Sequence, residues 1–491
     1  IKTFNFLYNA VVEERSVKQK WSGKPKRIET ITTTDGKAEK RYIYDVDWPA
    51  GKFLEKYYPD GDGIWLRLWR SMLWSVIRSA PKSRTPYRER LTGKDVSLAD
   101  ELWTLLNKKT EIIDSISSSI FIGAQAYNAE YVTFQGNVAE NILLHFWHVV
   151  TMVYVPRTSK LDKSGESLRF TRDYLGYVLV IPEPSDWEAF IEEYEELLRG
   201  LELNKNSFFL PHQAIIDIPV EAGLEFIHRL SSSRATHQGG LSLCVSSVEI
   251  YHLERQGNNV KMHSAERILP ESNILEQYDR LQSGSSLNPL YKVQRIRNLL
   301  NGNPWYEGMD QLVSNYDWKV AVWSRGQSPV DVPFFGNNVL QKFLDTAGDL
   351  EVQKGVEKMD NEQKSSFEDE KLEVLIYDVV KTYIWRRTDE RSPIKYKEFK
   401  DKKDEENKIV YPSAYVEAKE KVCRDAFLAV RGRKSQAFLD YFTGTICSVP
   451  QPLRNEDYQL LSRALLNDWE RVKTLTLLAI SANSYTRKGE D

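Results

Sequence analysis

Residues Phe367–Arg387 read FEDEKLEVLIYDVVKTYIWRR, and their spacing decides the character of the C-terminal third of the chain. Leu372, Leu375, Ile376, Val379, Val380, Tyr383 and Ile384 recur at i, i+3, i+4 and i+7, which places them on one apolar face of an α-helix. Glu368, Asp369 and Glu370 sit at its start and Arg386 and Arg387 at its end, matching the helix macrodipole. Downstream, the same periodicity predicts helices over Ala414–Arg431, Ser435–Phe442, Glu456–Leu466 and Trp469–Ala482, with Gly432 and Gly444 as stops. Just upstream, Pro329, Pro333, Gly336 and Gly348 mark a loosely structured connection. Residues 336–491 are therefore expected to form an all-α helical bundle.

Ahead of that connection, strand and helix patterns alternate. Val149–Val155 and Tyr174–Ile181 read as strands around the polar turn Lys160–Glu166. A helix follows, with Ser185 as N-cap, Glu188 completing a capping box, and Trp187, Phe190, Ile191, Tyr194, Leu197 and Leu198 on one face. Leu241–Arg255 and Val260–Leu269 flank Gln256-Gly257-Asn258-Asn259, a hairpin with turn chemistry at its tip. Residues 17–45 read as exposed hairpin or loop, and Ile64–Ser79 as a helix. That helix has Trp65, Trp69, Met72, Leu73 and Val76 on its apolar face and Arg67, Arg70 and Arg78 on a solvated one. The fold class is α+β: a mixed α/β body over 1–335, then the bundle over 336–491.

Composition narrows the function classes. The chain has 491 residues and a formal net charge of −3, without the excess positive charge of a free nucleic-acid binder. The charge is divided, however: residues 371–491 hold 23 basic and 19 acidic side chains, a local +4, which leaves −7 for the rest. Three widely separated cysteines fit neither a disulfide framework nor a zinc site, and point to a reducing, cytoplasmic setting. No signal peptide and no membrane-spanning run are read; Ile142–Val155 is interrupted by His145 and His148.

Catalytic motifs are missing. There is no G-x-x-x-x-G-K-[ST], H-E-x-x-H, G-x-S-x-G or G-x-G-x-x-G, and no histidine is followed by aspartate. His145 and His148 lack a nearby carboxylate or thiolate set and read as packed residues rather than metal ligands. Cys423 falls on the apolar side of its helix, and Cys447 has no histidine near it in sequence. The expectation is a protein that is not an enzyme and needs no cofactor or metal.

Binding chemistry remains. Arg386, Arg387, Lys395, Lys397, Lys400, Lys402 and Lys403 interleave with Tyr383, Trp385, Tyr396 and Phe399. Arg424, Arg431, Arg433 and Lys434 form a second group, and Lys18, Lys20, Lys24, Lys26 and Arg27 surround Trp21. Cations neutralise phosphates and aromatic faces stack on splayed bases, so such surfaces suit single-stranded nucleic acid. Each has a plainer reading. Lys400–Lys408 also carries Asp401, Asp404, Glu405 and Glu406 and fits a solvated loop, and a helix C-terminus such as Arg431–Lys434 attracts cations for local reasons. Arg431-Gly432-Arg433-Lys434 has no acidic dilution and is the leading candidate.

Several stretches carry a family likeness: Tyr44–Gly51 (YDVDWPAG) with Trp65–Trp69 (WLRLW), His252–Val260 (HLERQGNNV), Asn303–Gly308 (NPWYEG), Ala426–Arg431 (AFLAVR) and Asp440–Gln451 (DYFTGTICSVPQ). From about residue 40 to its end the chain resembles the large subunit of type I CRISPR Cascade, in its Myxan-type variety. The resemblance implies a non-catalytic role in antiviral defence or in transposon-associated systems, in which guide pairing reads sequence and protein handles the opened DNA. It implies as partners the guide CRISPR RNA, target double-stranded DNA and its displaced strand, and the Cascade backbone and small subunits. A helicase-nuclease or transposon adaptor proteins follow downstream.

Residues 1–335 would then meet duplex DNA, the guide 5′ handle and the backbone, while 336–491 would match the small subunit that lines the displaced strand. Asn258 and Asn259, at the hairpin tip, join the candidate contacts. Family members carry sequence ahead of the stretch matching Ile1, so residues that read the adjacent DNA motif are expected upstream. Translation from Met359 would give 133 residues, one small bundle, and the tail is expected also as a free small subunit. A purely structural scaffold is the alternative from another class.

Overall fold

The computed structural model describes residues 1–8, 10–21, 23–32, 38–49, 85–107, 113–115, 135–137, 152–162, 169–202, 215–231, 244–256, 259–282, 288–323, 334, 361–403, 409–451 and 453–485. The helix read over Ile64–Ser79, the histidines His145 and His148, the connection over 336–350, Met359 and Asn258 lie outside them. The architecture is α+β, as expected: among the described residues every named strand ends by Ile268 and the elements from Ser272 onward are helices. Contacts divide the chain into two compact units. The first comprises Ile1–Thr158 with Tyr174–Leu275, the second Ser159–Asp173 with Glu276–Asp491.

The first unit opens with α1 (Lys2–Leu7) and a three-stranded antiparallel sheet of β1 (Ala10–Val17), β2 (Arg27–Thr32) and β3 (Ala38–Pro49), in the order β1-β3-β2. The stretch expected to be hairpin or loop thus forms a sheet, with Val17, Ile43 and Tyr44 buried. Helices α2 (Thr85–Leu91) and α3 (Leu98–Leu106) and the short pair β4 (Ile113–Ser115) and β5 (Gln135–Asn137) follow.

The larger sheet uses β6 (Met152–Asp162), its neighbour β7 (Arg169–Tyr174), and β8 (Tyr177–Pro184). After α4 (Trp187–Glu202) come β9 (Ile215–Ile216), α5 (Glu221–Ser231), β10 (Val245–Gln256) and β11 (Asn259–Ile268). The strands β11, β10, β8 and β6 lie side by side, with β9 parallel to β6. Tyr177–Val180 are buried without alternation, so this stretch of the sheet is covered on both faces. In the β10–β11 hairpin Gln256 pairs with Asn259, so the first and last of the four residues read as its turn belong to the strands.

Helix α5 lies against β8 and β10. Gly223 permits that approach, since a Cβ there would stand 2.5 Å from Ile250 Cδ1 and 2.7 Å from Ile268 Cδ1. One cap differs from its reading. Asp186, not Ser185, accepts from the Ala189 amide (3.0 Å), and the Ser185 amide is itself held by the Cys244 carbonyl (3.1 Å).

Helix α6 (Ser272–Gln282) begins in the first unit and ends in the second, where α7 (Pro289–Leu300), α8 (Met309–Asn315) and α9 (Trp318–Ala321) precede the long α10 (Asn361–Arg391). Asn288 caps α7 by accepting from Leu290 N (3.0 Å), and Asp317 caps α9 by accepting from Lys319 N (3.0 Å). All seven apolar residues read for the long helix are buried. Then follow α11 (Tyr396–Phe399), α12 (Ser413–Gly432), α13 (Ser435–Tyr441), a π-helical turn Phe442–Ile446, α14 (Asn455–Asn467) and α15 (Trp469–Ser484).

Helices α10, α12 and α15 pack on one another. In α15 every residue from Thr474 to Ser481 is buried, so it is enclosed on all sides rather than amphipathic. Gly444 does not stop a helix. It lies inside the π turn, where Cys447 N reaches Phe442 O five residues back (2.9 Å), and the helical run ends two residues later at Ile446.

Candidate nucleic-acid interface

The long helix α10 and helix α12 converge where their charged faces meet. Tyr383, Arg387 and Arg391 recur every four residues on α10, so they stack along one stripe. Arg391 Nη1 reaches Asp425 Oδ2 (2.9 Å) and Arg424 Nη2 reaches Asp425 Oδ1 (3.1 Å), so one carboxylate on α12 bridges two guanidiniums. Burial would push the Asp425 carboxyl up, but the hydrogen bonds from Arg391 and Arg424 outweigh it and hold the group below the usual range. Arg387 donates to Glu390 (2.8 Å) and Ser448 Oγ (3.2 Å) and lies 6.0 Å from the Tyr383 ring centre.

Arg433 lies closer over its ring, 4.4 Å from the Tyr441 centroid, and donates to Ala429 O at the end of α12 (2.6 Å). Burial first, and then Tyr383, raise the Tyr441 hydroxyl, so it stays a neutral donor. Arg424 completes the group over Trp318 at 6.0 Å. The result is a partly exposed surface with four guanidiniums, the Tyr441 phenol and the Trp318 indole against the carboxylates of Asp425 and Glu390, with Tyr383 buried beneath it. Such a surface neutralises phosphates and leaves aromatic area within a nucleotide's reach.

Three residues read from sequence therefore meet here: Arg387, Arg424 and Arg433. Arg391 was missed, although its i+4 spacing from Arg387 on the same helix was a usable signal. Arg431, the leading candidate from sequence, is elsewhere. Its Nη1 and Nη2 donate to the carbonyls of Tyr316 and Ser314, both at 2.8 Å, so the guanidinium ties α12 to the C-terminal end of α8. Lys434 is exposed beside Lys473, whose ammonium is pushed down by burial first and by Lys434 among its neighbours. Arg386 lies over Trp385 (5.0 Å), about 100° around the helix from Arg387 and so outside that stripe.

Lys397, Lys402 and Lys403 are exposed around α11, and the backbone of Lys403 pairs with Ile409. Lys395, next to them, spends its ammonium on the carbonyls of Asp389 (2.6 Å) and Ser392 (2.9 Å) at the end of α10.

In the first unit the basic stretch is largely neutralised within its own sheet. Lys26 pairs with Glu14 (2.7 Å) and Asp45 (2.9 Å), and Arg27 with Glu14 (2.8 Å) and Glu29 (2.6 Å). Hydrogen bonds from Arg27 and then Lys26 hold the Glu14 carboxyl down at about 2. Lys18 pairs with Glu39 (3.4 Å), Trp21 stacks on Tyr44 (4.9 Å between ring centres), and Lys20 and Lys24 are exposed. Asn259 opens β11 at the hairpin tip.

The family-like stretch Asn303–Gly308 has an architectural place. Asn298 Nδ2 donates to Trp305 O (3.0 Å) and Glu307 O (2.9 Å), Gly308 takes a φ of +70°, and Trp305 Nε1 donates to Glu373 on α10 (2.7 Å). Burial pushes the Cys423 thiol up to about 12 and that of Cys447 up to about 11, so neither is a ready thiolate. Among the described residues no group of three or more His, Cys, Asp or Glu is arranged to hold a metal ion. Among them, too, no helix is long and apolar enough to cross a membrane.

Comparison with known families gives two adjacent matches. Residues 2–240 match the family model of the type I-B CRISPR Cas8b N-terminal domain, and residues 245–483 that of the type I-B CRISPR Cas8b C-terminal domain. No curated protein matches the chain.

Proposed function

Because this chain belongs to the type I-B CRISPR Cas8b family and so is a large subunit of a type I CRISPR system, we propose that it is the non-catalytic, DNA-handling member of an RNA-guided complex. Within that assembly residues 1–335 meet duplex DNA, the guide 5′ handle and the backbone subunits. There they contribute to adjacent-motif recognition and duplex opening. The helical second unit holds the displaced strand, and the subunit offers a landing surface for a helicase-nuclease or a transposition adaptor. One observation carries the displaced-strand role: Arg387, Arg391, Arg424 and Arg433 converge with Tyr441 on one partly exposed face of the bundle, above the buried Tyr383. Guide pairing supplies sequence specificity, so this surface needs only backbone attraction and base stacking.

The test is the double substitution Arg391→Glu and Arg424→Glu in the assembled complex. Target binding is expected to weaken, and the slope of log affinity against log salt to flatten by about 0.7 for each single-strand phosphate no longer neutralised. Arg391→Lys with Arg424→Lys keeps the charge and should retain most of that slope. Unchanged affinity and slope in the Glu variant would leave the scaffold reading in its place.

A further inference from the structure

Helix α4 carries more apolar side chain than the core takes up. Trp187, Phe190, Ile191 and Tyr194 share the face read from sequence, yet only Phe190 and Tyr194 are buried, stacked 5.2 Å apart. Trp187 and Ile191, one turn apart, are 68% and 57% exposed. The Trp187 ring meets Phe190 edge-on, 6.4 Å between centres, so the indole is braced on the core while most of its surface stands in solvent. At about 100° per residue, Glu188 and Glu192 form a second row beside Trp187 and Ile191, and both are exposed.

Local helix chemistry accounts for only part of this. Glu188 sits in the first turn, where the macrodipole favours a carboxylate, and Asp186 accepts from the Ala189 amide (3.0 Å). Glu192 lies a turn further in, beyond most of that field, and repels Glu188 across i, i+4. Among the described residues no ion pair answers either carboxylate. A single exposed apolar side chain is ordinary. An indole and an isoleucine in register, edged by unanswered carboxylates, have instead the make-up of an interface: an apolar anchor with a polar rim.

We infer that this face of α4 docks a basic amphipathic segment from another protein subunit of the same complex. Apolar side chains of that segment cover Trp187 and Ile191, and its Lys or Arg side chains meet Glu188 and Glu192. Charge selects the occupant. The carboxylate row repels a phosphate backbone, and a second copy of α4 would bring the same two carboxylates against it. An ammonium or guanidinium gains a charged partner there and can also lie over the indole. The apolar content selects a resident partner, because permanent interfaces are more hydrophobic than transient ones. The inference uses the chain's membership in the complex and does not depend on the displaced-strand reading.

The experiment compares the purified full chain with the assembled guide-RNA complex, both without target DNA. Hydroxyl-radical oxidation of Trp187, read by mass spectrometry, should slow severalfold on assembly. In competition with wild type for assembly, Trp187→Ala should perform about thirtyfold less well, the scale of an interface tryptophan, while Trp187→Phe retains most. Glu188→Lys with Glu192→Lys should lose about tenfold at low salt and less at high salt. Circular dichroism melts confirm that each variant is folded. Equal oxidation of Trp187 in the free chain and the complex refutes the docking surface. Protection on assembly with the Lys variant assembling as well as wild type, or better, identifies an acidic or nucleic-acid occupant and refutes the basic partner. Protection that appears in the free chain as its concentration rises identifies a second copy and refutes it too. Arg391→Glu with Arg424→Glu reads the displaced-strand surface separately, so either proposal can fail alone.

Discussion

Replacing Arg431 separates a structural arginine from a phosphate-binding one. Its two terminal nitrogens each donate to a backbone carbonyl, at 2.8 Å to Tyr316 and 2.8 Å to Ser314. Arg431→Lys keeps the charge but offers a single point of donation in place of the planar fork. One charge-assisted bond is removed, worth about 1.5–3 kcal/mol, and one carbonyl is left to water. The cost falls on the docking of residues 309–321 against α12 rather than on the whole protein. Amide exchange in that segment should therefore accelerate by about 10- to 100-fold, since each 1.4 kcal/mol is a factor of ten. Hydrogen exchange followed by mass spectrometry reads this directly, with α10 as the internal reference. DNA affinity and its salt slope should stay unchanged, because the guanidinium already has its partners. Unchanged exchange over 309–321, together with a salt slope smaller by the share of one phosphate, would refute the argument and return Arg431 to the binding surface.

Asp425→Asn removes the carboxylate that competes with phosphate for Arg391 and Arg424, and should tighten binding of single strands by the assembled complex, most clearly at low salt. The stabilisation from Asp425 is present in full above the ordinary carboxyl pKa of about 3.9 and is lost as pH falls through the lower folded value. Asp425→Asn should therefore be less stable than wild type by a constant margin from pH 7 to 5, and the two should converge only in acid, as pH-dependent thermal melts would reveal. Gly223→Ala forces a methyl to within 2.7 Å of the ends of Ile250 and Ile268, an overpacking cost of about 1–3 kcal/mol. A melting temperature equal to wild type would show that both isoleucines move aside freely.

What the sequence discloses follows from what physical cause is local. Helix α10 was legible because seven apolar residues at helical spacing must face one way, whatever they face, and all seven are buried. Helix α15 was legible as a helix but not as an enclosed one, since burial on every side depends on neighbours that arrive from α10 and α12. Gly444 shows the opposite limit: a glycine's freedom permits a stop without fixing its place, and here a π turn carries the helix past it to Ile446. Charge is the least legible of all. Arg431 and Arg433 stand two residues apart in the most basic run of the tail, yet one is consumed by carbonyls more than a hundred positions upstream and the other lies over Tyr441. Their difference lies in the acceptors each one meets, and a sequence names donors without saying where the acceptors stand. The same reasoning runs forward. A basic side chain becomes a nucleic-acid contact only when the fold leaves its charge incompletely answered, and on this bundle that holds around Asp425, where a single carboxylate is shared by Arg391 and Arg424.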